Sequence, residues 1–131
     1  MGSNIYDSAL EQAELIRTKK VSSEELTERY IRRIEKYDNE INAVIVRTFD
    51  DALERAKEAD SALARGEQLG PLHGVPMTIK ESYVMANTPS TWGIEAFQNN
   101  YSNSDGLAVR RFRAAGAVFL GKTNVPTDLA D

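Results

Sequence analysis

An α/β layered fold with a largely parallel sheet is what this sequence predicts, and three observations carry that reading. Stretches in which apolar residues recur every three or four positions alternate with short apolar runs of strand length. Their order is ααβα followed by β-loop-αβ, and strand–helix–strand alternation is the pattern of a layered α/β architecture. Glycine and proline stand at the joints, at Gly66, Gly70, Pro71 and Gly116, where a helix cannot easily continue.

The first helix is expected over residues 5–18, from Ile5, Ala9, Ala13 and Ile16 with Leu10 beside them. After Lys19-Lys20, Ser22 is a good N-cap and Glu25 sits where a capping box needs it, while Val21 and Leu26 are spaced as a hydrophobic staple. The second helix is expected to reach Tyr37, with Leu26, Tyr30, Ile34 and Tyr37 as its apolar face, before a turn at Asp38-Asn39. Ala43-Val44-Ile45-Val46 reads as a strand. Thr48 or Asp50 can cap a third helix ending near Arg65, and its Ala52, Ala56, Ala59 and Leu63 imply close packing on a sheet or another helix.

Val75-Pro76-Met77-Thr78-Ile79-Lys80 then reads as a strand that ends in Lys80, and Pro76 confines it to an edge, a strand start or a bulge. Residues 81–103 show no sustained period. A loop of this length, about twenty residues, is either functional or disordered. Asn103 or Ser104 can cap a fourth helix through Leu107, Ala108, Phe112 and Ala115, stopped by Gly116 as its C′ residue. Ala117-Val118-Phe119-Leu120 reads as a buried strand, Gly121-Lys122-Thr123-Asn124 as a polar turn, and a new helix is expected to start near Thr127.

The 131 residues suffice for one small domain. Apolar residues at 41% and charged residues at 27% fit a globular chain, and a formal charge of -4 argues against a nucleic-acid partner, which wants a concentrated basic surface. With no cysteine, disulfides, thiolate metal sites and cysteine nucleophiles are excluded within the chain. His73 is the single histidine, and no set of carboxylates accompanies it as a metal site would require. No secretory or membrane-spanning apolar stretch is present, so a cytoplasmic chain with no membrane partner is expected.

Residues 116–123 match the phosphate-loop string GxxxxGK[ST]. The context is wrong for it. A phosphate loop follows a strand and opens a helix, whereas here a helix precedes Gly116 and the four intervening residues are apolar and strand-like. The string is expected to be a helix stop and a core strand, with no phosphate cradle.

Lys80 is the better candidate for chemistry. A lysine at a strand end near buried surface loses its proton more readily, because desolvation disfavours the ammonium, and the neutral amine is a base. Strand-end lysines are also commonly just solvated. The loop beyond supplies Ser82, Thr88, Ser90, Thr91 and Gly93, groups that orient a lysine or line an acyl pocket and are equally ordinary in loops. Tyr83, Trp92 and Phe97 either line such a pocket or close the core.

Two blocks carry a family resemblance. Pro71-Leu72-His73-Gly74-Val75-Pro76-Met77-Thr78-Ile79-Lys80-Glu81 resembles the segment around the catalytic lysine of the amidase signature family. Arg113-Ala114-Ala115-Gly116-Ala117-Val118-Phe119-Leu120-Gly121-Lys122-Thr123-Asn124 resembles that family's next block, at a matching separation. The resemblance implies the N-terminal portion of an α/β/α layered enzyme built on a large mixed β-sheet. Residues 1–70 would be a mainly helical lead-in, and residues 71–131 the lysine-bearing strand, long loop, helix and core strand. It further implies hydrolysis of carboxylic amides by a nucleophilic serine, a second serine in a cis peptide and a lysine, with Lys80 matching the lysine and no metal or organic cofactor. Thr88, Ser90, Thr91, Trp92, Gly93, Lys122 and Asn124 are the candidates for lining the substrate pocket or supporting the lysine.

The departures are also informative. The family's glycine- and serine-rich block, which carries both serines, is absent from these residues. Glu81 stands where many relatives have aspartate, Trp92 alters the loop, and Asp128 replaces a usual glutamate. The chain therefore reads as a fragment whose partners are a small-molecule amide and the remainder of an amidase polypeptide. Alone it is expected to be inactive and, with apolar strand edges uncovered, prone to self-association. Some family members serve instead as transferase subunits that draw ammonia from glutamine.

Overall fold

The computed structural model describes residues 4–130, and all statements below concern those residues. Helix α1 spans Ala9–Arg17, later than the spacing alone predicts, because Ser8 and Glu11 form a reciprocal capping box that fixes its start. Helix α2, Ser23–Ile41, begins at the expected cap, where Ser22 Oγ accepts the Glu25 N–H at 3.0 Å. The carboxylate of Asp60 also accepts the N–H groups of Ser23 and Glu24, so the third helix, α3 (Phe49–Ala64), caps α2 from a distance. Val21 and Leu26 share one buried cluster with Ile16 and Val75, as a staple requires.

The turn expected at Asp38-Asn39 does not occur. Both residues are helical, and α2 runs on to a left-handed cap at Asn42. Asp38 is buried and accepts the N–H groups of Ala43 and Val44 and a 3.3 Å contact from Arg47, so its carboxylate steers the chain into β1, Val44–Arg47. Thr48 occupies the N-cap position of α3, but its side chain donates to the Phe119 carbonyl rather than capping. Along α3, Ala52, Ala56, Ala59 and Ala62 are buried, and small side chains on this stripe let the helix lie close to α2 and the sheet.

Strand β2, Pro76–Lys80, and strand β3, Val118–Thr123, complete a three-stranded sheet of order β1-β3-β2. Strand β3 is parallel to β2 and antiparallel to β1. The sheet is therefore mixed, as the family resemblance implies and the largely parallel expectation does not. Pro76 opens an edge strand, where its missing N–H costs no ladder bond. Helix α4 covers Leu107–Ala114. Its N-cap is Gly106, not Asn103 or Ser104, and Asp105 before it commits its carboxylate to the Ala86 N–H and to Arg113. Gly116 follows the helix at φ 94°, and a Cβ there would come within 2.6 Å of the His73 backbone.

The sheet buries side chains on both faces. Val118 and Leu120 pack with Ile31 of α2 and Ala52 of α3, whereas Phe119 packs with Ile79, Met85 and Val109 of α4 on the opposite face. Strict alternation would send residue 122 to the α2–α3 face. The register prevents this. Met77 pairs with Phe119 and Thr78 with Gly121, so Leu120 is an extra residue, a bulge, and Lys122 returns to the face of Phe119, opposite Ile79. Gly121 is what the bulge requires, because a Cβ on it would collide with the Val46 carbonyl oxygen. Gly121→Ala should cost about 1–3 kcal/mol through overpacking. Urea denaturation checks this, and an unchanged midpoint would remove the argument.

The string Gly121-Lys122-Thr123 is thus strand rather than the expected polar turn. Its neighbours from Gly116 onward form a helix stop and a sheet strand, with the Val118 N–H donated to the Val75 carbonyl, and no loop is left to wrap a phosphate. Beyond it, residues 127–129 form only a short 3₁₀ turn where the sequence predicts the start of a new helix.

Candidate functional site around the end of strand β2

Along the end of β2, Ile79 and Glu81 are buried and Lys80 between them is exposed, the alternation that a pleated strand imposes. Lys80 pairs with Thr123, its carbonyl accepts the Tyr83 N–H at 3.0 Å, and the next N–H, that of Glu81, goes to the Thr123 carbonyl at 2.9 Å. Its backbone is therefore held at three points while its side chain stands free.

The loop that follows is ordered, and backbone pairing explains why. Asn87 N–H donates to Ser102, Ser90 N–H to Asn100, and Pro89 bridges Tyr101, so residues 87–102 double back as an arm with a 3₁₀ turn at Glu95–Phe97. Glu81, 1% exposed, grips this arm. Its carboxylate accepts the backbone N–H of Thr91, the N–H of Trp92 at 3.0 Å and the Thr91 hydroxyl at 3.2 Å. Sequence reasoning marks Glu81 only as a departure from a family aspartate. The signal for its burial is its place two residues beyond Ile79, on the same strand face.

Lys122 completes the cluster. It is fully buried, and its Nζ donates to the Pro89 carbonyl at 2.6 Å and to Ser90 Oγ at 3.0 Å, with Glu81 Oε1 at 3.8 Å. Burial pushes its ammonium below the ordinary lysine value, and the Glu81 carboxylate offsets only part of that.

The other candidates divide. Ser90, Thr91, Trp92 and Gly93 meet in the arm, where the Gly93 N–H donates to Thr91 Oγ1 at 3.1 Å and the Trp92 indole N–H to the Ser82 carbonyl at 3.3 Å. Thr88 is buried, and its hydroxyl donates to the Met85 carbonyl at 2.8 Å, which makes it a turn-former within the arm. Asn124 lies elsewhere. Its Nδ2 donates to the Asn42 carbonyl at 3.2 Å, at the junction of α2 and β1. Tyr83, Trp92 and Phe97 are all about half exposed, so none of them closes the core. His73 is buried with both ring nitrogens engaged, Nδ1 accepting the Leu69 N–H and Nε2 donating to the Ala59 carbonyl, which is a neutral imidazole in a structural role. Among the described residues no group of three or more histidine, aspartate or glutamate side chains is arranged to hold a metal ion. None of the described helices is long and apolar enough to cross a membrane.

Comparison with known proteins places this arrangement. The chain is 42% identical over 120 residues to a glutamyl-tRNA(Gln) amidotransferase subunit of Moorella thermoacetica, covering 92% of this chain and 25% of that protein. It is 36% identical to an acylamidase of Rhodococcus erythropolis, covering 91% of this chain and again 25% of the relative. The chain thus spans about a quarter of the length of these curated relatives. Among solved structures, the native peptide amidase of Stenotrophomonas maltophilia superposes with a TM-score of 0.85 at 33% identity, over 94% of this chain and 26% of that one. A bacterial aryl acylamidase of the amidase signature family superposes with a TM-score of 0.86 at 31% identity, covering 94% and 26%. The family model described as Amidase matches residues 25–130, a span that contains β2, the arm, α4 and β3 together, and the chain belongs to the amidase signature family.

Proposed function

We propose that the polypeptide carrying these residues hydrolyses carboxylic amides, and that Lys80 is its general base. The observation that carries this reading is position. Lys80 closes a strand inside the family-matched span, held by its backbone and with its amine unengaged, while its neighbour Glu81 ties an ordered arm to the other face of the same strand end. In the proposed reaction, neutral Lys80 takes a proton through a bridging serine in a cis peptide, and the nucleophilic serine so activated attacks the amide carbonyl. Backbone N–H groups stabilise the oxyanion, the amine leaves with a proton, and water releases the acid from the acyl-enzyme. Both serines belong to the glycine- and serine-rich block, which these residues do not contain. The substrate is a small amide in a cytoplasmic setting. Acylamidase and indoleacetamide hydrolase among the relatives support amide chemistry by their names.

A second reading is favoured by the 42% identical amidotransferase relative, in which the same lysine chemistry would release ammonia from glutamine for a transfer reaction. Full-length polypeptide offered indoleacetamide, para-nitroacetanilide and glutamine separates the two. Turnover of the first two, with one serine labelled by a fluorophosphonate, is the expected result, and turnover of glutamine alone selects the second reading. Residues 1–131 by themselves should neither turn over nor label. Failure of the full-length protein to cleave any of the three, or enzyme-like turnover by residues 1–131 alone, would overturn the proposal.

A further inference from the structure

A buried charge pair lies diagonally across β2 and β3 at the end where Lys80 sits. Ile79 pairs with Lys122 and Lys80 with Thr123, and Glu81 follows one step further on, so Glu81 and Lys122 bracket the Lys80–Thr123 pair. Their side chains lie on the face opposite that of Lys80, at 1% and 0% exposure, 3.8 Å apart. Two charges are costly to keep there unless each is fully occupied. Each is occupied, and by the same short stretch of chain. Lys122 donates to Pro89 and Ser90, and Glu81 accepts from Thr91 and Trp92.

The arm is held in a conformation it would not choose for itself. Trp92 has φ 54°, a left-handed backbone uncommon for a bulky residue. Such a conformation persists only when the surroundings over-determine it. Here the Trp92 N–H is tied to Glu81 and its carbonyl accepts the Asp128 N–H at 2.8 Å. A salt link placed only to stabilise a sheet needs neither four consecutive arm residues nor a strained tryptophan among them.

We propose that Glu81 and Lys122 are positioning residues for amide hydrolysis: they weld residues 89–92 to the end of β2 so that the arm and the backbone of Lys80 move as one rigid body. This rests on the assignment of Lys80 as base. A base held on a rigid element reaches its reacting geometry without reorganising, and misplacement on the order of 1 Å costs about 10²-fold in rate.

The test uses Glu81→Gln in the full-length polypeptide, with Lys80→Ala and the parent beside it. Glutamine keeps the size of Glu81 but cannot accept from two backbone N–H groups and face an ammonium as well. Deuterium uptake, read peptide by peptide, should rise over residues 81–93 and stay at the parental level in α2, α3 and β1. Hydrolysis of indoleacetamide, normalised to folded protein, should lose about 10²-fold in kcat with KM little changed. Ser90→Ala, which removes only one acceptor of Lys122, serves if Glu81→Gln does not fold, and should shift both readouts in the same direction. Unaltered uptake in the arm overturns the inference. So does higher uptake with parental kcat, which would leave the pair a purely structural feature. If the parent hydrolyses the amide and Lys80→Ala does so equally well, the assignment of the base falls and the inference falls with it. If Lys80→Ala is inactive and Glu81→Gln is unimpaired, the inference alone falls.

Discussion

Lys122→Met should destabilise the folded chain by about 3–5 kcal/mol at neutral pH, the usual cost of removing one partner from a buried ion pair. Methionine replaces the aliphatic stem but leaves the Pro89 carbonyl and Ser90 hydroxyl without their donor and leaves Glu81 facing no cation. The Thr91 and Trp92 N–H groups still reach Glu81, which places the expected loss toward the lower end of that range. The difference between parent and variant should also depend on pH. The folded-state pKa of Lys122 is depressed by burial, with Glu81 only partly offsetting it. Between that depressed value and the ordinary lysine value of about 10.4, the unfolded chain holds a proton that the folded chain has released. Parental stability therefore rises with pH across that window relative to Lys122→Met, and other lysines and tyrosines cancel in the comparison. Urea denaturation of both proteins from neutral to alkaline pH reads the effect. A stability difference that stays flat, or shrinks, as pH rises contradicts the assignment of Lys122 as a buried, strained cation.

Lys80→Ala in the full-length polypeptide should lower kcat for amide hydrolysis by about 10²–10⁴-fold, the range typical for loss of a positioned acid–base group. Folding should survive, because the side chain of Lys80 is exposed and only its backbone is committed to the sheet. Lys80→Arg should fail to the same degree, since guanidinium stays charged and accepts no proton. A base must be neutral, and an ordinary lysine is mostly protonated at neutral pH. If Lys80 is the base, the full-length enzyme has to cover its amine and bring a serine hydroxyl within about 2.6–3.2 Å of it. The pH–rate profile of the parent and both variants is the measurement. A folded Lys80→Ala enzyme with near-parental kcat across the profile would end the proposed role.

How much of this is legible in the sequence follows from which interactions are local. The Ser22 cap, the alanine stripe of α3, the strand ending at Lys80, the stop at Gly116 and the apolar core of β3 are all readable, because each depends on residues within a turn or two of each other. The departures share a cause in long-range pairing. Asp38-Asn39 looks like a turn until β1 is seen to need a carboxylate for its first N–H groups. Gly121-Lys122-Thr123 looks like a polar turn because a buried lysine is credible only when its partners are known, and those lie at Glu81, Pro89 and Ser90. One local signal is available, since an isolated glycine within a strand pattern suggests a bulge. In the candidate site, Lys80, Ser90, Thr91, Trp92 and Lys122 all stand out from sequence, but nothing short of the fold could join Lys122 to the arm or remove Asn124 from it.

The extra residue at Leu120 makes spacing, rather than composition, the quantity that matters in this part of the chain. Inserting one further residue between Phe119 and Lys122, with the bulge kept, would preserve an apolar run followed by a lysine, and by hydropathy the segment would look unchanged. It would nevertheless exchange the two sides of the sheet for everything that follows, and turn an ammonium group toward the alanines of α3, where only methyl groups await it. An alignment that tolerates a gap at this point would pair residues of identical chemistry that lie on opposite surfaces.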